Sequence, residues 1–196
     1  MNIRPAKATL LIDSSILLEV LGVPYESDNS EEVKDKFDEL NASGRVSLII
    51  PLAAVIEVGS HIVKISDPKE RDRCAREFEK IISLSVAGAA PWIISDFQFS
   101  SEQARKMLSG EGHYYPMGQS LRDRNFEVGD MVIVEEWRAI RSNFPRKLMD
   151  VDVWTNDATL RSVVDTLRHN QDSPVVGLIG SHRDGRAGPK RAESSN

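Results

Sequence analysis

Four carboxylates in this chain sit where side chains can act together. Asp13 follows the apolar run Ala8-Thr-Leu-Leu-Ile, Glu57 lies on a helix face, Asp130 opens a helix, and Asp157 ends the turn Thr155-Asn156-Asp157. Taken singly, each has a structural explanation as a helix cap, a turn anchor or a solvated acid. Brought together, they place like charges at close range, which disfavours ionisation and destabilises a fold. No matching cluster of lysines is apparent in the sequence to neutralise them. A hard divalent cation, Mg²⁺ or Mn²⁺, resolves the conflict, because it takes oxygen ligands and keeps waters for substrate phosphates. Such a site suits phosphodiester hydrolysis, in which a bound water loses its proton more readily and the leaving oxygen is stabilised.

The elements that must position these acids read as alternating strands and helices. Ala8 to Ile12 is a buried strand, so Asp13 stands at a strand's carboxyl end, the edge where open parallel sheets gather ligands. Ile16, Leu17, Val20 and Leu21 then space as a helix face that Gly22-Val-Pro24 ends. Asn29 and Glu32 resemble a capping box for a surface helix carrying Val33, Phe37 and Leu40, closed by Gly44. Val46 to Ile50 is a second strand. Pro51 opens a helix with the apolar stripe Leu52, Val55, Ile56, Gly59 and Val63, which leaves Glu57 on a face with Ala53, Ser60, His61 and Lys64.

Asp67-Pro68 with Glu70 starts the next helix, whose core side runs through Cys74, Phe78, Ile81 and Ile82. Trp92 to Ile94 is a third strand, and Ser100 or Ser101 caps a short helix through Leu108. A glycine-punctuated, aromatic and basic loop spans about 109–128. Ile133, Val134, Trp137 and Ile140 mark a helix with Asp130 in its first turn, on the buried side. Val151 to Trp154 is a fourth strand, Leu160, Val163, Val164 and Leu167 a helix stripe, and Val175 to Ile179 a last strand candidate. The alternation predicts an α/β fold with a parallel sheet. One domain over 1–180 is expected, with an elongated insertion at about 87–128 and a flexible tail over 181–196.

Composition sets the bounds. The 196 residues, 40% hydrophobic and 28% charged, suit one globular domain. No apolar run approaches a membrane span and the first residues lack the apolar core of a signal peptide, so a cytoplasmic, membrane-free protein is expected. The single cysteine, Cys74, falls on a helix stripe and reads as a buried thiol. A net charge of −5 gives no global attraction to nucleic acid, so a polyanion needs a local basic patch or bound cations. Tyr114, Tyr115, Arg122 and Arg124 offer such a patch, suited to stacking bases and contacting phosphates. Equally, the tyrosines could pack the insertion onto the core.

In order and spacing the motifs resemble those of the PIN domain family. Leu11-Ile-Asp13-Ser-Ser15 is similar to its first strand motif, Ile50-Pro51 through Val55 and Glu57 to its second, Gly129-Asp130 with Ile133-Val134 to its third, and Thr155-Asn156-Asp157 to its fourth. The resemblance spans roughly residues 8 to 180. It implies a three-layer α/β/α sandwich around a central, mainly parallel sheet. It also implies a Mg²⁺ or Mn²⁺ dependent nuclease, usually acting on RNA, with Asp13, Glu57, Asp130 and Asp157 as catalytic metal ligands. Thr155 matches the family's hydroxyl beside the last acid, Asn156 lies between them, and Ser15 stands where many relatives carry asparagine. Many relatives are toxins, so an antitoxin or other protein partner is implied, and a homodimer is a further expectation.

Asp96, Asp123 and Glu127 compete with Asp130 for the third acidic position, and helix phase favours Asp130. The alternative function is a PIN-like scaffold without turnover that binds RNA or protein. A phosphoryl-aspartate hydrolase fits less well, because Ser15 stands where that chemistry needs a second aspartate.

Overall fold

A computed structural model describes residues 7–110, 115–143 and 149–172. Four strands, β1 (Lys7–Ile12), β2 (Val46–Ile50), β3 (Trp92–Ile94) and β4 (Met149–Trp154), form one sheet in the order β3-β2-β1-β4. Every pairing is parallel, with Leu11 opposite both Ile49 and Val153. Such a sheet is covered on both faces, which explains why β1 is apolar almost throughout rather than alternating.

The helices are α1 (Ser14–Leu21), α2 (Ser30–Ser43), α3 (Leu52–Lys64), α4 (Pro68–Val86), α5 (Ser101–Ser109), α6 (Met117–Asp123), α7 (Val128–Asn143) and α8 (Ala158–Asp172). They divide between the two faces. Ile12, Leu48 and Ile50 pack with Ile16, Val58, Cys74 and Ile81 in one core. The neighbouring Leu11 points the other way and packs with Val151, Val153, Ile133, Trp137 and Leu160 in the second. Successive strand residues alternate faces, so one strand feeds both cores. The fold is a three-layer α/β/α sandwich. None of the described helices is long and apolar enough to cross a membrane.

Local chemistry accounts for the element ends. Asp13 caps α1 from an extended backbone (φ −71°, ψ 161°), and Gly22 ends it in the left-handed region at φ 58°. Asp67 caps α4 by accepting from Lys69 N–H at 2.7 Å, one residue before proline at the first helical position. On the second face, Trp137 is fully buried and its indole N–H donates to Val151 O at 3.0 Å, fixing α7 to β4. Arg161 and Arg168 of α8 pair with Asp152 at 3.0 and 3.2 Å, so these β4 and α8 charges are occupied with each other.

Three expectations are corrected. The stripe of α3 has a different phase: Ala54, Val58 and Ile62 are buried, whereas Leu52, Ile56 and Val63 are exposed. The helix is apolar nearly all round, and packing against α1 requires its small-residue side. Asn29 makes no side-chain cap for α2. Its φ of −123° and ψ of 27° leave the extended region, and its N–H donates to the Glu19 carboxylate at 3.0 Å instead of to Glu32. The stretch 109–128 is not wholly loop, because it contains α6, and Met117 and Phe126 anchor it to the second core. Val175 to Ile179, the tail 181–196 and Tyr114 lie outside the described residues.

Candidate functional site

The strand order reverses direction at β1, whose neighbours β2 and β4 lead into separate halves of the sheet. Crevices at the carboxyl ends of strands flanking such a switch point are where open α/β sheets bind ligands. Asp13 and Asp157 stand at this edge, one directly after β1 and the other three residues after β4. The two strand ends are tied together, since Asp13 N–H donates to Trp154 O at 3.0 Å.

Asp13 is 2% exposed, and its carboxylate is held by hydroxyls. Ser15 Oγ and Thr155 Oγ1 each donate to Oδ2 at 2.7 Å, and Ser14 Oγ reaches Oδ1 at 3.4 Å. Both hydroxyls also accept. Ser15 Oγ takes the Asn156 N–H at 3.0 Å, and Thr155 Oγ1 takes the Asp157 N–H at 2.9 Å. Their protons are thereby directed at Asp13, and the β4 turn is locked to the start of α1. Asp157 is exposed and caps α8, accepting from Leu160 N–H at 2.7 Å through Oδ1. Its capping role uses one oxygen and leaves the other available.

Glu57 and Asp130 come from α3 and α7, which pack against each other. Contact there is close: a Cβ added to Gly129 would lie 3.3 Å from Glu57 Oε2. Burial raises the Glu57 carboxyl above its ordinary range, helped by the charges of Asp13 and Glu127, while a hydrogen bond from Ser14 and the charge of His61 oppose it. Asp130 is pushed up to about 7, first by burial and then by the charges of Asp13, Asp157 and Glu57. Asp130 thus feels all three of the other acids. Among the described residues, however, no group of three or more His, Cys, Asp or Glu side chains is disposed to grip an ion as it stands. The four carboxylates share one electrostatic field without being drawn into a ligand shell.

Of the competing acids, Asp96 and Asp123 act elsewhere, whereas Glu127 stays beside Glu57 and Asp130. Asp96 is exposed and its charge acts on Glu136, Asp123 is exposed at the end of α6, and Glu127 acts on Glu57. Tyr115, Arg122 and Arg124 are exposed, and the charges acting most on Asp130 and Glu57 belong to other residues. His61 pairs with Glu26 at 3.3 Å.

Beside Glu57 opens a cavity of about 440 Å³, walled by α3, α7 and the segment between β3 and α5. Its lining is mainly apolar, with Phe97, Phe99, Ile56 and Val132, and it carries Glu57, Glu127 and Glu136. Glu136 is 1% exposed, and its Oε1 has no hydrogen-bond partner. Burial pushes its acid up to about 7, against a hydrogen bond from Ser95. Sequence reasoning passed over Glu136. The available signal was a glutamate on the apolar face of α7, one turn from both Ile133 and Ile140.

No family model, curated protein or solved structure matches the chain.

Proposed function

We propose that the chain is a metal-dependent endoribonuclease of the PIN type, with Asp13, Glu57, Asp130 and Asp157 as the acids that hold Mg²⁺ or Mn²⁺. The observation that carries this reading is the placement of Asp130, whose acid is raised to about 7 by burial and by the other three carboxylates. Uncompensated negative charge in an all-oxygen site is the donor chemistry that hard divalent cations take. When bound, such a cation supplies a water of lowered pKa and offsets charge on the phosphate oxygens. The chain's own residues supply the rest. Asp13, held by two short hydroxyl bonds, cannot swing away, so its ligand geometry is fixed before substrate arrives. Thr155 and Ser15 keep their protons on Asp13 and link it to the backbone of Asn156 and Asp157. Glu57 and Asp130 come from the neighbouring helices α3 and α7, and Ser14 lies between the Glu57 carboxyl and Asp13. An antitoxin-like partner and a homodimer remain part of the same family-based expectation.

The test is incubation of the purified chain with generic single-stranded RNA, with and without Mn²⁺. Cleavage that needs the metal and disappears in Asp13→Asn is expected. Intact RNA across substrates and metals would overturn it and leave the scaffold that binds RNA or protein without turnover.

A further inference from the structure

The cavity beside Glu57 contains a feature that its apolar walls do not explain. Glu136 Oε1 is buried without a partner, in a side chain that lines the cavity. A buried acceptor left unsatisfied costs more than a made hydrogen bond gains, and such groups in native proteins call for a specific reason. The other polar contact to this carboxyl is the Ser95 hydroxyl. That hydroxyl accepts Phe97 N–H at 3.0 Å, which turns its proton toward Glu136 and fixes the segment bearing the two phenylalanines. The cavity therefore presents flat aromatic and aliphatic surface, with Glu57 and Glu127 also in its lining and the unpartnered Glu136 oxygen buried behind the wall. Its volume of about 440 Å³ lies in the range of small-molecule sites, about 300–1,000 Å³.

We infer that this cavity receives a nucleobase carrying an exocyclic amino group, packed against Phe97 and Phe99 with its N–H directed at Glu136 Oε1. The choice of ligand rests on the nuclease reading of the adjoining acids. Glu57 borders both the acidic cleft and the cavity, so a phosphodiester at the cleft brings one of its bases to the cavity mouth. Unstacked bases are held in single-strand sites by aromatic rings, and a carboxylate takes the amino group of cytosine but finds no donor on the matching position of uracil. Phe99 is 49% exposed and Ile56 63% exposed, so apolar surface is already presented at the entrance.

Neutral nucleosides test the pocket without cleavage. In EDTA, titration of the full chain by NMR with cytidine, uridine, guanosine and inosine reads binding alone. The last two differ only in one amino group. At about pH 8, above the value of about 7 to which burial raises the Glu136 acid, cytidine and guanosine are expected to bind roughly tenfold more tightly than uridine and inosine, the value of one hydrogen bond to a charged acceptor. Glu136→Leu should abolish that difference while the chain still melts cooperatively, since loss of the unpaired buried oxygen offsets loss of the Ser95 bond. Phe99→Ala should weaken all four together. Equal binding of cytidine and uridine by the parent chain, no binding of any nucleoside at millimolar concentration, or an unchanged preference in Glu136→Leu would overturn the inference. A chain that cleaves RNA yet ignores the amino group loses only this pocket, and one that selects cytidine yet never cleaves loses only the nuclease reading.

Discussion

The Thr155 hydroxyl donates to Asp13 Oδ2 at 2.7 Å across a sequence separation of 142 residues, and the same oxygen accepts the Asp157 N–H at 2.9 Å. One small side chain thus sets the position of two of the four acids. Thr155→Val keeps the shape, removes the donor from Asp13 and orphans the Asp157 amide. Loss of one such contact costs about 1–3 kcal/mol, a melting shift of roughly 2–4 °C per kcal/mol at this chain length. Removing a group that orients a metal ligand typically lowers metal affinity about 10–100-fold. Cleavage titrated against Mn²⁺ should therefore need more metal in the variant, with recovery at high concentration. A midpoint equal to that of the parent chain would show that Thr155 does not position the acids.

Glu19 provides the contrasting case of a buried acid with only a structural role. It is 4% exposed, and its carboxylate accepts the Asn29 N–H at 3.0 Å and the Ser30 hydroxyl at 3.1 Å, joining the end of α1 to the start of α2. Glu19→Ala leaves the Asn29 amide without this acceptor. A cost of about 2 kcal/mol is expected, read as a fall in melting temperature by thermal denaturation. RNA cleavage per folded molecule should be unchanged. A selective loss of cleavage would place Glu19 in the site.

The strands and the order of the acids were legible in the sequence because the apolar run ending at Asp13 and the alternating Val151-Asp-Val-Trp154 shortly before Asp157 have few other readings. The face of α3 was not legible. Leu52, Ile56 and Val63 form as regular a stripe as Ala54, Val58 and Ile62, and only the neighbours α1 and α7 decide that the smaller residues go inside. Hydrophobicity says which residues are apolar, and packing volume says which of them fit. The cavity was hidden for the same reason, since it forms where the unburied stripe of α3 meets Phe97 and Phe99. The capping of α2 failed locally because its partner, Glu19, lies ten residues upstream rather than three downstream.

Gly129 sits where α7 approaches α3, and its lack of a side chain leaves room for Glu57. A methyl group there would come within 3.3 Å of Glu57 Oε2, tight enough that the carboxylate must move. Because the obstacle is the end of a flexible side chain, Gly129→Ala should cost little stability, and alanine also favours a helix over glycine by about 1 kcal/mol. Cleavage should nonetheless fall, since Glu57 is displaced from Asp130. Combining it with Glu57→Ala gives the sharper reading. If Gly129 acts only through Glu57, the double variant is no worse than Glu57→Ala alone, whereas additive losses would point to a separate role for the α7 terminus.

The acid of Asp130 fixes a pH dependence with a definite sign. Its folded value of about 7 lies above the ordinary 3.8 that applies in the unfolded chain. Between these values the folded chain holds a proton that the unfolded chain has released. The stability associated with this group is therefore fully present below 3.8, is lost as pH rises toward about 7, and changes no further above that. Glu136, raised to about 7 from 4.5, adds a loss of the same sign. Asp130→Asn removes the first contribution and leaves that of Glu136, so the difference between the two proteins reports Asp130 together with its effect on the neighbouring acids. Urea unfolding at about pH 5 and about pH 8 should show the parent chain losing stability relative to the variant as pH rises. A cation binding only the folded chain adds about 2.7 kcal/mol at a hundred times its Kd. Because protons and Mg²⁺ compete for the same oxygens, Mg²⁺ should raise the melting temperature of the parent chain more at the higher pH, and that increment should shrink in Asp130→Asn. Parallel pH profiles for the two proteins, or a Mg²⁺ shift independent of both pH and residue 130, would mean that Asp130 does not share its field with the other three acids.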